Sequence, residues 1–164
     1  MKLTSFDRKR MMEAVTLALA AERSGNLPIG AVVSLDGQII ARGQNAIWQP
    51  QKSLSRHAEM EALSALPKSL LDRSFEMTLY TTLEPCLMCL GAILLHGIGR
   101  VVIGANDPFG GANGAAASLP PFFRQRLAQT EWICPAFPAE CDPLFTRIKA
   151  LEKINGLDMD QIQP

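Results

Sequence analysis

One stretch of the sequence predicts more than any other, and it reads Leu83-Glu84-Pro85-Cys86-Leu87-Met88-Cys89-Leu90-Gly91-Ala92-Ile93-Leu94-Leu95-His96. Within it, Cys86 and Cys89 are three residues apart, so their side chains lie on one face if the segment is helical. Pro85 is typical of a helix start because it has no amide hydrogen to leave unpaired. Both cysteines then fall in the first turn, where the helix dipole favours thiolates. The stretch therefore predicts an apolar helix that presents two thiolates at its beginning.

A histidine and a carboxylate lie upstream, at His57 and Glu59, near the start of a second predicted helix. Zinc binds nitrogen and sulfur in a tetrahedron, and a catalytic site uses three protein ligands and leaves the fourth position to water. We therefore predict that His57, Cys86 and Cys89 bind Zn2+. Glu59 is too close in sequence to His57 to be an obvious further ligand. A free carboxylate beside a metal-activated water is what general acid/base catalysis requires, so Glu59 is the predicted catalytic residue.

Two other roles for the cysteine pair stay open at this point. A non-catalytic structural zinc module needs a fourth protein ligand, and the remaining cysteines, Cys134 and Cys141, have neither the spacing nor a neighbouring histidine. A redox-active dithiol has no need of the upstream histidine and carboxylate, and it predicts a metal-free protein with a titratable cysteine pair.

Hydrophobic patterning predicts strands that alternate with helices. Two strands, 31–35 and 38–43, flank Asp36-Gly37, which is typical of a tight hairpin turn. Further strands are predicted at 79–81, 101–104 and 131–134. A first helix capped by Thr4 or Ser5 ends at Gly25-Asn26, and the other predicted helices are 56–66, the cysteine helix, 120–127 and 143–154. The alternation indicates an α/β layer fold with a mainly parallel sheet and an antiparallel hairpin at one edge.

Composition limits the class of protein. A chain of 164 residues is expected to form one domain over 1–164, with enough length to bury a real core. Formal net charge is zero, with 16 basic and 16 acidic residues, which argues against a surface dominated by nucleic-acid attraction. No apolar run is long enough to span a bilayer, and no disulfide framework is implied, so a cytoplasmic protein is expected.

The combination His-x-Glu with Pro-Cys-x-x-Cys is characteristic of zinc deaminases. The chain resembles the cytidine deaminase-like superfamily, and within it the branch of bacterial tRNA adenosine deaminases and guanine deaminases. The resemblance covers roughly residues 7 to 150, and the zinc motifs are its most specific part. The other matching stretches are Leu27-Pro28-Ile29-Gly30-Ala31-Val32, Gly43-Gln44-Asn45, Thr81-Thr82-Leu83-Glu84-Pro85-Cys86, and Arg100-Val101-Val102-Ile103-Gly104-Ala105 followed by Asp107.

The resemblance implies a three-layer α/β/α fold around a mixed, mainly parallel five-stranded sheet. It also implies a homodimer in which the surface of the cysteine helix is buried against a partner. By resemblance, Asn45 hydrogen-bonds the substrate base, although a plain turn residue is the alternative. The other implied substrate-binding positions are Leu27, the backbone of Ala58, the Glu84-Pro85 turn, and Asp107.

The implied reaction is hydrolytic removal of the exocyclic amino group of a heterocyclic base, with release of ammonia. Our first expectation for the substrate is a free nucleobase or nucleoside, with guanine or adenine ahead of cytosine; the alternative is an adenosine in tRNA. Asp107 matches the tRNA pattern, but Asn106 and Phe109 stand where the tRNA enzymes tend to be basic. Phosphate contacts need basic residues. The end of the chain also mixes its charges, with Arg147, Lys149 and Lys153 against Asp142, Glu152, Asp158 and Asp160.

The Gly/Ala-rich segment 106–117 contains Gly110-Gly111, which is tempting as a phosphate loop. It matches neither a P-loop nor a dinucleotide-binding fingerprint. We therefore predict that this segment forms a flexible rim of the active site.

Overall fold

The computed structural model describes residues 3–154, 156 and 161, so Asp158 and Asp160 of the tail lie outside the described residues. Helices and strands alternate as the sequence predicts. In chain order they are α1 Ser5–Arg23, β1 Gly30–Leu35, β2 Gln38–Gln44, α2 Ala58–Ser64, β3 Thr78–Leu83, α3 Leu87–His96, β4 Arg100–Ala105, α4 Pro121–Gln129, β5 Glu131–Ile133 and α5 Pro138–Ile154. Two 3₁₀-helical segments, Lys68–Glu76 and Asn113–Ser118, were not predicted.

The sheet has the strand order β2-β1-β3-β4-β5. Strand β1 pairs antiparallel with both β2 and β3, whereas β3–β4 and β4–β5 are parallel pairs. Four strands therefore share one direction and β1 alone is reversed, which confirms the mixed five-stranded sheet. Parallel pairs are nevertheless not in the majority, because the reversed strand lies inside the sheet and makes an antiparallel pair on each side.

The predicted hairpin forms the β2 edge of this sheet. Its turn is Asp36-Gly37, and both residues have positive φ, at 49° and 77°. A two-residue turn of this kind matches the right-handed twist of the strands it joins, and glycine reaches positive φ without steric cost. The register shifts between Val33 and Ser34, and beyond this irregularity Ala31 pairs with Gly43.

Close approaches at two glycines show that helices cover both faces of the sheet. A side chain at Gly30 would overlap the Ala14 carbonyl of α1, and one at Gly43 would overlap the Ala58 carbonyl of α2. Because Gly43 pairs with Ala31, the neighbour of Gly30, the two glycines face opposite sides of the sheet. Helices α1 and α5 contact each other, as do α2 and α3. The three-layer α/β/α architecture is therefore confirmed.

Helix boundaries differ most at the end of the chain. Helix α5 begins at Pro138, one turn before the predicted start at Pro143, because the Phe137 carbonyl accepts hydrogen bonds from the amides of Glu140 and Cys141. At the other end of the chain, Thr4 caps α1 in a capping box with Asp7. Within the described part of the chain, no helix is long and apolar enough to cross a membrane.

Candidate active site

Two helices on the same face of the sheet begin at the site. His57 is the N-cap residue of α2 and Cys86 is the N-cap residue of α3. Helix N-termini carry unpaired amides and the positive end of the helix dipole. The fold thus directs two positive helix ends toward a group of residues that includes two thiols and a carboxylate.

The side chains of His57, Cys86 and Cys89 are positioned to hold a metal ion. Their ligand atoms all lie within 4.8 Å of one another, and Nδ1 of His57 is 3.7 Å from Sγ of Cys86. Zinc–nitrogen and zinc–sulfur bonds of ordinary length at a tetrahedral angle place those two atoms about 3.6 Å apart. The nitrogen and sulfur donors and their spacing therefore fit zinc, with the three protein ligands that a catalytic site uses.

The pKa values of the two cysteine thiols are shifted in opposite directions. The hydrogen bond from Cys89 lowers the pKa of Cys86 to about 4, and the contact with His57 acts in the same direction, against the effect of burial. Bonding to Cys86, together with burial, raises the pKa of Cys89. The pKa of His57 is raised chiefly by its contact with Cys86. One thiolate is thus already favoured by the protein, and binding of zinc requires both.

Glu59 is buried beside this cluster, with 3% of its surface exposed. The Thr81 hydroxyl on β3 donates to Oε1 of Glu59 over 2.8 Å, and the Cys89 thiol donates to Oε2 over 3.5 Å. Burial raises the pKa of Glu59, and the Thr81 hydrogen bond offsets only part of that effect. A carboxyl group with a raised pKa holds a proton more readily than an ordinary glutamate, which suits a group that takes up and releases protons.

A cavity of about 210 Å³ opens above the cluster. Among the described residues, its lining includes Leu27, Glu84 and Asp107 from the predicted substrate-binding set, but not Asn45, Ala58 or Pro85. The full lining is Leu27, Ile29, His57, Glu59, Leu83, Glu84, Cys86, Asp107, Phe109, Gly110, Ile148 and Glu152.

Asn45 lies just behind the cavity wall and is fully buried. Its backbone amide donates to the carbonyl of Ile29, a lining residue, and its Oδ1 accepts a hydrogen bond from the amide of Ile47. Its Nδ2 has no hydrogen-bond partner among the described residues. Buried polar groups are normally paired, so this unpaired donor is an exception to the usual pattern.

Glu84 and Asp107 both bond the loop that forms the cavity rim. Oε2 of Glu84 accepts from the amide of Asp107 over 3.0 Å, and Oδ1 of Asp107 accepts from the amides of Phe109 and Gly110, each over 3.0 Å. A side chain at Gly111 would overlap the Glu84 carboxyl group and the Asp107 carbonyl. The glycine pair thus permits close packing of the rim. The Pro85 carbonyl also accepts a rim amide, that of Ala112.

Several cavity residues were not predicted as site residues. Helix α5 contributes Ile148 and Glu152, one turn apart, and the rim contributes Phe109 and Gly110. Ile29 directly precedes β1, and Leu83 is the last residue of β3. The (i, i+4) spacing on α5 shows that Ile148 and Glu152 share a face. Nothing in the sequence says that this face lies over the zinc cluster, because α5 reaches the cavity only through its packing on β3 and β4.

Comparison with known proteins agrees with this geometry. The model of the cytidine and deoxycytidylate deaminase zinc-binding region matches residues 4–105. A tRNA-specific adenosine deaminase of Bacillus subtilis is 45% identical over 114 residues, which are 69% of this chain and 70% of that protein. One from Haemophilus influenzae is 44% identical over 114 residues, 68% of this chain and 65% of that protein.

Solved structures show the same similarity. A structure from a study of A-to-I editing by tRNA:A34 deaminases superposes with a TM-score of 0.64 at 32% identity, and covers 77% of this chain and 98% of that one. The guanine deaminase of Bacillus subtilis superposes with a TM-score of 0.55 at 36% identity, and covers 63% of this chain and 66% of that one. The chain therefore belongs to the cytidine and deoxycytidylate deaminase zinc-binding family: it is a zinc-binding deaminase, an enzyme that acts on C–N bonds.

Proposed function

We propose that this deaminase hydrolyses the exocyclic amino group of an adenine base, and that an adenosine in tRNA is its first candidate substrate. The names of the relatives support this choice, since the 45%- and 44%-identical proteins are both tRNA-specific adenosine deaminases. They favour the tRNA alternative over the free base or nucleoside that the sequence suggested. The observation that carries the hydrolytic chemistry is the placement of buried Glu59 against Thr81 and the His57, Cys86 and Cys89 cluster.

When held by His57, Cys86 and Cys89, zinc supplies Lewis-acid chemistry that makes water a nucleophile near neutral pH. Glu59 removes a proton from the attacking water and gives it to a ring nitrogen of the base. It then takes the remaining proton from the hydroxyl group now on the ring carbon and gives it to the departing amine, so the C–N bond breaks, the C=O bond forms, and the products are the oxo-base and ammonia. Thr81 holds Oε1 of Glu59 by its hydroxyl, which fixes the direction in which the carboxyl group can move a proton.

The apolar side of the cavity is suited to a flat base. Leu27 and Ile29 line it, and both are less than 9% exposed. The unpaired Nδ2 of Asn45 supports a role as donor to a ring or carbonyl acceptor of the substrate. For the backbone of Ala58 we propose a contact with the substrate, and this proposal rests on the resemblance to the family. For Glu84, Pro85 and Asp107 we propose that they shape the rim, because their oxygens bond its backbone.

A second candidate, a free purine base or nucleoside, is favoured by the charge of the cavity. Its described lining contains four carboxylate side chains and no lysine or arginine. Phosphate groups are bound by cations, helix ends and amides, and a carboxylate-lined entrance repels them. This charge favours a neutral substrate that enters without a phosphate.

The test is ammonia release by zinc-loaded protein from an adenosine-bearing tRNA anticodon stem-loop, adenosine, adenine, guanine and cytosine. Glu59→Gln is the control for every substrate. Turnover of the stem-loop that falls steeply with added salt would support the tRNA substrate. Turnover of free bases alone would reject it in favour of the second candidate, and silence on the whole panel with zinc bound would reject the deaminase proposal.

We also propose a homodimer formed through the outer face of α3. Leu87 and Leu95 are 62% and 63% exposed, Met88 is exposed beside Leu87, and no atom of the described residues lies within 4 Å of a side chain built at Gly91. These positions follow one side of the helix, and burial of such a stripe is a usual driving force for self-association. Leu95→Glu is expected to yield monomers in analytical ultracentrifugation. Phe75→Glu, a matched change at a 63%-exposed residue on another element, should leave the mass unchanged.

A further inference from the structure

The described lining of the cavity carries four carboxylates, and three of them accept hydrogen bonds from described residues. Glu59 accepts from Thr81, Glu84 accepts from the amide of Asp107, and Asp107 accepts from two rim amides. Within the described part of the chain, the carboxylate of Glu152 accepts no hydrogen bond and makes no ion pair, although it lines the same cavity. It is therefore the one cavity carboxylate whose acceptor capacity the described residues leave unused.

The position of Glu152 follows from the packing of α5. Ile148, one turn earlier, is 3% exposed and lines the cavity, so the same face of the helix brings the half-buried Glu152 to the cavity wall. Lys149 lies over the Phe109 ring, with its Nζ 5.3 Å from the ring centroid. Burial, and then the neighbouring Asp107 carboxylate, raise the pKa of Glu152 against the attraction of His57.

We propose that Glu152 is a specificity-determining residue that accepts a hydrogen bond from a substrate donor other than the amine that leaves. This inference rests on the proposed deaminase function. An ionised carboxylate only accepts hydrogen bonds, so it selects a substrate that presents an N–H or O–H group at this wall. Such a donor exists on a free base as a ring N–H, and on a nucleoside or RNA as a ribose hydroxyl.

The donor is identified by pairs of substrates that differ in one hydrogen-bonding group. The pairs are adenine against 9-methyladenine, guanine against 1-methylguanine, and a stem-loop carrying adenosine against one carrying 2′-deoxyadenosine at the target position. The kcat/KM of each is measured with the wild-type protein, Glu152→Met, which has similar volume and no acceptor, and Glu152→Gln. Asp142→Asn removes the same charge from an exposed position on the same helix and serves as control.

We expect one pair to differ by at least about tenfold with the wild-type protein, as for a hydrogen bond to a charged group. The difference should shrink to about twofold or less in Glu152→Met and persist in Asp142→Asn. The pair that shows this coupling names the donor, and with it the free base or the ribose. Discrimination that persists in Glu152→Met is steric and overturns the proposal. A uniform fall on every substrate, or no change at all, overturns it as well.

Binding of the deaminated products separates this inference from the proposed function. Calorimetry compares hypoxanthine with 9-methylhypoxanthine and xanthine with 1-methylxanthine, and inosine with 2′-deoxyinosine in the stem-loop, using wild-type protein and Glu152→Met. Discrimination that depends on Glu152, in a protein that turns over none of the substrates, would support the role of Glu152 and reject the deaminase proposal. Turnover of the substrates, without any discrimination that depends on Glu152, would support the deaminase proposal and reject the role of Glu152.

Discussion

Two buried carboxylates at opposite sides of strand β3 behave in opposite ways. Asp7 and Glu59 are each 3% exposed, yet the pKa of Asp7 is lowered to about 2 and that of Glu59 is raised. Their partners are consecutive residues, since Tyr80 bonds Asp7 on the α1 face and Thr81 bonds Glu59 on the α2 face. The exposed fractions are equal, but Glu59 lies deeper in the protein, so burial costs its charge more and its donors offset less of that cost.

Around Asp7, burial raises the pKa, but the donors outweigh it. Arg100 donates over 2.6 Å and Tyr80 over 2.9 Å, and Thr4 gives both its amide and its hydroxyl over 2.8 Å. Glu59 receives its own backbone amide, one hydroxyl and one weakly donating thiol but no cationic donor, so burial prevails. The first site is a fixed charge that ties α1 to the sheet, and we propose that the second is a carrier of protons.

The largest expected effect is that of Glu59→Gln. If Glu59 moves protons, the substitution should lower kcat by about 10²- to 10⁴-fold. Stability should not fall, because the pKa of Glu59 is raised and the neutral side chain escapes the cost of a buried charge. Ammonia release and thermal melting of the same preparation check both statements, with zinc content measured as control. Activity near the wild-type level would remove Glu59 from the proton-transfer role.

Asp7→Asn should have the opposite effects: it should lower the stability of the protein and leave kcat unchanged. A pKa lowered from 3.8 to about 2 corresponds to about 2 kcal/mol of stability at pH 7. Because the folded pKa lies below the unfolded one, this contribution is complete above about pH 4 and disappears as the pH falls through 2. Urea unfolding at several pH values should show the gap between wild type and variant closing over that range.

The control for Asp7 is Asp36→Asn. Asp36 also faces an arginine, Arg73, but the pair is exposed, and exposed ion pairs contribute little to stability. We expect no measurable change in the free energy of unfolding for this variant. A loss at Asp36 as large as that at Asp7 would mean that burial is not what distinguishes the two ion pairs.

Thr81→Val should lower the kcat of the enzyme. It removes the donor to Oε1 of Glu59 while keeping the shape of the side chain, and loss of a hydrogen bond to a charged group corresponds to about a tenfold fall in kcat. Thr81→Ser keeps the hydroxyl and should restore most of the rate. The kcat and the KM are measured separately for the wild-type protein, Thr81→Val and Thr81→Ser. Equal rates in Thr81→Val and Thr81→Ser would show that the hydroxyl does not position Glu59.

The smallest effect is expected one residue earlier, for Tyr80→Phe. Asp7 keeps Arg100 and Thr4 as donors, so the loss should be about 1 kcal/mol of unfolding free energy, with kcat unchanged. Comparison of this variant with Thr81→Val tests whether the Tyr80 hydroxyl supports stability while the adjacent Thr81 hydroxyl supports activity. A change in kcat for Tyr80→Phe would show that the two faces of β3 are coupled.

The sequence predicted the zinc cluster because metal chemistry restricts residue types at short spacing. His57 and Glu59 are two residues apart and Cys86 and Cys89 three, so each pair was visible before folding, and the fold then brings the pairs together. The hairpin at Asp36-Gly37 was predicted for a similar reason, since few residues tolerate positive φ. The interior position of the reversed strand β1 was not predicted, because strand order depends on pairings between distant segments.

The same distinction applies within the cavity. The sequence by itself determined the nitrogen and sulfur donors, the free carboxylate at Glu59 and the capped start of α1, because each depends on neighbours along the chain. Only the tertiary structure decided that Glu84 and Asp107 bond the rim, and that Glu152 faces the cavity without a donor among the described residues. It also decided the opposite titration of Asp7 and Glu59. The spacing of residues along the sequence indicates local chemistry, whereas burial and hydrogen-bond partners are set by segments that meet only when the chain is folded.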